Sequence, residues 1–224
     1  MIGLRAASKS YAMLGGRKVV LRPTTVDFPT GTGTAVLGRN GQGKSTLVRM
    51  LAGTESPDTG RVVRRGRTSF PLGFAGTFHP LLDGRENVRF LARLHGANIA
   101  HVLRDTEDFA EIGSYWRMPV GTYSSGMLAR LAFGAVLALD FDTYLVDEVM
   151  AVGDERFRAK CLDAFRKRAA GATLVMVTHD LSYARAFCTA GATLEGGLLQ
   201  VHADLDSAVS AYSKTLDSLR TNVS

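Results

Sequence analysis

Gly38-Arg39-Asn40-Gly41-Gln42-Gly43-Lys44-Ser45 spaces glycines, a lysine and a hydroxyl as a bound polyphosphate needs them. The glycines let successive backbone N–H groups curl around phosphate oxygens with no Cβ in the way. Lys44 can neutralise the outer phosphates, and the Ser45 hydroxyl can ligate Mg²⁺. Thr46 then enters a helix whose N-terminal N–H groups face the anion. The chemistry implied is the binding of a nucleoside triphosphate with its metal.

Further residues that could act on a triphosphate follow in order. Thr143-Tyr144-Leu145-Val146-Asp147-Glu148 is an apolar strand ending in two carboxylates, the Walker B arrangement that accompanies such a loop. Asp147 would support the metal, and Glu148 could polarise a water behind the γ-phosphate. Leu174-Val175-Met176-Val177 predicts another buried strand, ending in Thr178-His179-Asp180, which makes His179 a candidate γ-phosphate sensor. Thr122-Tyr123-Ser124-Ser125-Gly126-Met127 precedes Asp147 by about twenty residues and opens a helix to Leu139. Ser124 is its expected N-cap, and its first-turn N–H groups offer a second anion site.

In this order the motifs resemble the ATP-binding-cassette (ABC) ATPases over essentially the whole chain. Ser124, Ser125 and Gly126 stand at that family's signature, and Tyr11 falls where it stacks an aromatic ring on adenine. Val152-Gly153-Asp154 matches its D-loop and His179 its switch histidine. The wording is closer still to the polysaccharide-export branch, in Tyr123-Ser124-Ser125-Gly126-Met127, in Val146 to Asp154 and in Gly84-Arg85-Glu86-Asn87-Val88. That branch drives capsular polysaccharide, O-antigen or teichoic acid across bacterial inner membranes.

The resemblance implies a homodimer whose two ATP molecules each lie between one loop 38–45 and the other copy's signature. It also implies integral membrane permease subunits as partners, a glycan handled by the complex without direct binding to this chain, and attachment at the cytoplasmic face of the inner membrane. The chain departs from the commoner family pattern in three places. Ser125 replaces a glycine, Met127 replaces a glutamine, and His79, in Gly73-Phe74-Ala75-Gly76-Thr77-Phe78-His79-Pro80, occupies the Q-loop glutamine position. His79 is therefore a candidate link between nucleotide and membrane partner. An importer, a lipid exporter, or a soluble ABC ATPase acting on DNA or ribosomes are the competing readings.

The elements that must position these residues are legible as an α/β pattern. The expected fold is a P-loop NTPase of the ABC type, with a mostly parallel core sheet, an antiparallel β subdomain and a helical subdomain. A single domain is expected over 1–224: core 1–75 and 140–203, helical part about 76–139, C-terminal helix 204–224. Strands are expected at 34–37, 59–63, 68–70 and 174–177, and helices at 86–95, 99–112 and 124–139. With 224 residues, 46% of them hydrophobic, the chain can bury a substantial core.

No apolar run reaches the ~20 residues needed to span a bilayer, so a cytosolic chain is expected. Cys161 and Cys188 lack metal or redox spacing and are expected as buried thiols on apolar helix faces. The net charge is +6. Arg61, Arg64, Arg65 and Arg67 form one basic cluster, and Arg156, Arg158, Lys160, Arg166, Lys167 and Arg168 another. We read both as solvated polar faces near an anionic membrane, with no nucleic-acid partner, because no aromatic platform accompanies them.

Overall fold

A computed structural model describes residues 1–71, 78–147, 155–178 and 180–221, with side chains to residue 216. It forms two compact units. One comprises residues 1–71, 142–148 and 171–224, and the other 72–141 and 149–170.

In the first unit, β1 (Ile2–Met13) lies between β2 (Gly16–Phe28) and β4 (Thr59–Arg64) in an antiparallel sheet. A tight turn at Leu14-Gly15 sets the register Met13↔Gly16 and Tyr11↔Lys18, and Gly15 supplies the left-handed φ of 92° the turn requires. The second sheet has the order β5-β6-β3-β7-β8: β3 (Gly33–Leu37), β5 (Thr143–Asp147), β6 (Thr173–Val177), β7 (Ala190–Glu195) and β8 (Leu198–His202). The first four are parallel and β8 runs antiparallel to β7. Buried on both faces, β3, β5 and β6 read as continuous apolar runs, as parallel strands must.

The helix α1 (Lys44–Ala52) buries Leu47, Val48, Met50 and Leu51 in a core shared with Ile2, Leu4, Leu21, Phe28, Val36, Leu145 and Val175. Its C-terminus is held by Arg64, which donates from Nε to the Leu51 carbonyl at 2.6 Å and from Nη2 to the Met50 carbonyl at 2.5 Å. The guanidinium supplies a donor to the Leu51 carbonyl, adds a second to the Met50 carbonyl that also accepts the Gly53 N–H, and opposes the negative end of the helix dipole. Arg64→Met keeps the stem and removes the donors, so it is expected to lower unfolding stability by about 1–2 kcal/mol in a denaturant titration. The short helix α6 (Leu181–Phe187) and α7 (Leu205–Thr221) complete this unit, with α7 packed on β7.

The second unit is helical: α2 (Gly84–Leu94), α3 (Ile99–Ala110), α4 (Ser125–Leu137) and α5 (Glu155–Arg168), with 3₁₀ turns at Gly113–Arg117 and Val120–Thr122. Asp83 and Glu86 form a capping box at the start of α2, and Asn98 caps α3. Trp116 is buried, as a packing residue would be.

Some expectations need correction. Thr68 makes only an isolated parallel bridge to Thr143 instead of a strand over 68–70. Pro71 follows and has no N–H to extend a ladder. Cys161 is buried on α5, but Cys188 stands just past the end of α6 in extended conformation. Burial pushes both thiols up to about 12, far from a reactive thiolate.

Most members of the two basic clusters are exposed, as expected, but several also make contacts within the fold. Lys160 donates to the Glu111 carboxylate at 2.6 Å and to the Phe109 carbonyl at 3.0 Å. Lys167 pairs with Asp163 and Arg168 with Asp140, while Arg64 is committed to α1. Lys160, Arg168 and Arg64 thus also brace the fold, while most of the rest of the two clusters faces solvent.

Candidate functional site

The carboxyl ends of β3, β5 and β6 converge on one edge of the parallel sheet, where open α/β sheets bind ligands. The loop after β3 leads straight into α1. Gly43 is the N-cap, with φ 103° in the left-handed region; a Cβ there would sit 2.7 Å from the Val20 Cβ and 2.9 Å from the Val20 carbonyl oxygen. At Gly38 a Cβ would approach the Leu194 carbonyl oxygen to 2.4 Å. The loop is thus clamped between β2 and β7, and glycine is the only residue that fits at either contact. Gln42 adds a brace, its Oε1 accepting the Gly196 N–H at 3.0 Å from the β7–β8 turn.

Lys44 is the first residue of α1 and 6% exposed. Its ammonium crosses back over the loop to donate to the carbonyls of Gly38 at 2.7 Å and Arg39 at 3.0 Å. Ser45 Oγ donates to Asp147 Oδ1 at 3.2 Å, so residues 102 positions apart place a hydroxyl beside a carboxylate at the end of β5. These are hard oxygen donors of the kind Mg²⁺ takes.

A cavity of about 370 Å³ opens over the loop, lined by Tyr11, Lys18, Val20, Asn40, Gly41, Gly43, Lys44, Ser45 and Thr46. A polyphosphate fits this lining. The glycine backbone leaves room that a Cβ would fill, Lys18 and Lys44 are among the lining residues, and the first turn of α1 carries no acidic side chain to repel an anion. Lys18 and Val20 were not anticipated as lining residues. The signal was present, because a turn at Leu14-Gly15 in an alternating segment puts Lys18 opposite Tyr11.

The remaining sequence candidates are distributed as follows. Glu148, Asp154 and His179 lie outside the described residues. On either side of His179, Thr178 is buried and its Oγ1 accepts the Asp180 N–H at 3.0 Å, while Asp180 caps α6. His79 and Ser124 to Gly126 belong to the helical unit.

In that unit Asn87, 4% exposed, grips the backbone of His79 from both sides. Its Oδ1 accepts the His79 N–H at 2.7 Å and its Nδ2 donates to the His79 carbonyl at 3.1 Å. The imidazole itself is exposed, with Nδ1 accepting the Leu81 N–H at 3.3 Å. Ser124 is the N-cap of α4 as expected, its Oγ accepting the Met127 N–H at 3.2 Å. A Cβ at Gly126 would meet nothing closer than Ser124 Oγ at 3.9 Å. Unlike Gly38 and Gly43, then, Gly126 is not required by packing within the described chain.

A glycine-clamped phosphate loop, a Ser45–Asp147 pair and a parallel sheet define a P-loop nucleotide-binding domain. A family model described as "ABC transporter" matches residues 21–151, more than half of the chain. The chain is 40% identical over 220 residues to the polysialic acid transport ATP-binding protein KpsT of Escherichia coli, spanning 97% of this chain and 98% of that protein. It is 42% identical over 214 residues to the capsule polysaccharide export ATP-binding protein CtrD of Neisseria meningitidis, spanning 95% and 99%. Among solved structures, a dimeric post-hydrolysis state of the ATP-binding cassette MJ0796 bound to ADP and Pi superposes with a TM-score of 0.75. At 22% identity, covering 90% of this chain and 98% of that one, it shows the shared fold. The chain belongs to the ABC transporter family, among its polysaccharide-export ATP-binding subunits, and is an ABC-type ATPase.

Proposed function

We propose that this protein is the ATP-hydrolysing subunit of a bacterial exporter and energises the passage of a capsule, O-antigen or teichoic acid type polysaccharide across the inner membrane. The observation that carries the reading is the Ser45–Asp147 contact at the mouth of a glycine-clamped loop. The export relatives extend that reading from ATP hydrolysis to glycan transport.

Lys44 and the backbone of Gly38 to Thr46 hold the phosphates, and Tyr11 stacks on the base. Ser45 and Asp147 would hold Mg²⁺, which when bound neutralises charge on the β and γ oxygens. Glu148 acts as the general base toward the attacking water, and His179 donates to the γ-phosphate.

Two copies pair head to tail. Ser124, Ser125 and Gly126 close on the partner's γ-phosphate, and Asp154 meets the partner near the same place. The exposure of Ser124 and Ser125 and the open space around Gly126 support a role toward a group outside the described chain. His79, its backbone fixed by Asn87 and its ring exposed, passes dimer closure to permease subunits at the cytoplasmic face of the membrane. The glycan is handled by that complex and does not touch this chain.

Deleting the gene in its own host is expected to abolish the surface glycan and leave it in the cytoplasm. The parent restores it and Lys44→Ala does not. In the same assay His79→Gln should export like the parent, whereas His79→Ala should export less while binding ATP normally. Surface glycan restored in full by Lys44→Ala would contradict the function.

A further inference from the structure

Beside the phosphate loop, five side chains form a polar network that the motifs do not account for. Tyr11 on β1 donates its hydroxyl to Glu55 Oε1 and lies 3.2 Å from Thr46 Oγ1. The other Glu55 oxygen receives Arg49 Nε at 2.9 Å, and Arg49 Nη2 donates to Thr46 Oγ1 at 3.1 Å. Lys9 stands two residues before Tyr11, on the same face of β1, with Nζ 3.4 Å from Glu55 Oε1 and 5.5 Å from the centre of the Tyr11 ring.

Glu55 is the hub, and it is largely covered, with a side chain 17% exposed. Its backbone N–H, like that of Thr54, donates to the Arg49 carbonyl at the end of α1. The segment after it is pinned to β1 by Asp58, whose N–H donates to the Ser8 carbonyl at 2.8 Å and whose carboxylate accepts the Ser10 N–H at 2.9 Å. Burial alone would raise the Glu55 carboxyl, but hydrogen bonds from Tyr11, Arg49 and Lys9 outweigh it and hold the group below its ordinary range. Glu55 therefore stays ionised and accepts from all three, as charge-assisted hydrogen bonds favour.

We propose that Glu55 is a positioning residue for the nucleotide base: by fixing the Tyr11 hydroxyl it sets the aromatic ring at the cavity before ATP arrives. The inference rests on the reading that Tyr11, which lines the cavity, stacks on the base. With its hydroxyl tied to Glu55 and Thr46, Tyr11 offers the ligand its ring and not its polar tip. Ordering the ring beforehand removes a rotamer cost that would otherwise fall on binding. A merely structural network would instead join β1 to α1 and act on the whole loop.

The two roles separate when the ligand has no base. Binding of Mg-ATP and of inorganic tripolyphosphate with Mg²⁺ is measured by calorimetry on the purified full-length chain. Glu55→Gln and Tyr11→Phe are each expected to weaken ATP about tenfold, with tripolyphosphate unchanged within about twofold. The double variant should bind ATP no more weakly than either single variant, because both remove one interaction. Tyr11→Phe leaves Glu55, Arg49 and Lys9 in place, so it reports on the hydroxyl even where Glu55→Gln loses stability.

Equal weakening of both ligands would overturn the proposal and make the network a brace of the phosphate loop. Parental ATP affinity in both single variants would overturn it as well. Parental ATP affinity in Tyr11→Ala would remove the base contact on which it rests. Lys44→Ala binding both ligands like the parent would instead contradict the phosphate site itself.

Discussion

Glu148→Gln is expected to bind ATP as the parent does and to turn it over about 10²–10⁴-fold more slowly. Strand β5 ends at Asp147, whose carboxylate is engaged by Ser45, so the next carboxylate in the chain is the one available for a different task. Glutamine keeps the size and hydrogen-bonding capacity of glutamate but cannot take a proton from water. Phosphoryl transfer asks the protein mainly to position and neutralise, so removing the base should leave the bound state intact and slow only the chemical step. Phosphate release and ATP binding measured on the same preparation check this, and parental turnover would take Glu148 out of the role.

A comparable loss is expected from Gly126→Asp, for a reason unrelated to folding. A Cβ at Gly126 meets open space, and a carboxylate in the first turn of α4 is favourable to that helix. The variant should therefore melt like the parent and yet hydrolyse almost no ATP, because in the proposed head-to-tail pair its new charge would oppose a phosphate carried by the partner copy. Mixing it with Lys44→Ala tests the sharing of the site. In an equal mixture half of the dimers are mixed, and each has one site with both halves sound, so roughly a quarter of parental activity should return if one intact site suffices. Absence of rescue, together with specific activity independent of protein concentration, would point to a self-contained monomer.

The parts legible in the sequence were those whose physics is local. The loop 38–45 could be read because its spacing encodes a backbone shape, and β3, β5 and β6 because strands buried on both faces are continuous apolar runs. Ser124 was legible as a cap because capping is decided within three residues. Contacts across the chain were not legible. Nothing in the wording of Glu55 announces that it accepts from Tyr11, 44 positions away, and Arg64 gives no sign that it closes the end of α1. The ion pairs of Lys160 and Arg168 on α5 were likewise not legible, because their acidic partners, Glu111 and Asp140, lie on other elements. Thr68 to Phe70 had strand composition, but Pro71 limits that segment to a single bridge.

ATP hydrolysis by this chain is expected to drive glycan across a membrane. The most direct measurement uses inside-out inner-membrane vesicles that carry this chain, its own permease and radiolabelled lipid-linked glycan. Labelled glycan should become protected inside the vesicles when ATP is added. Protection should vanish with Lys44→Ala, with Glu148→Gln and with a non-hydrolysable ATP analogue. Accumulation that proceeds at the parental rate without ATP, or with Lys44→Ala in place of the parent, would contradict ATP-driven export by this chain.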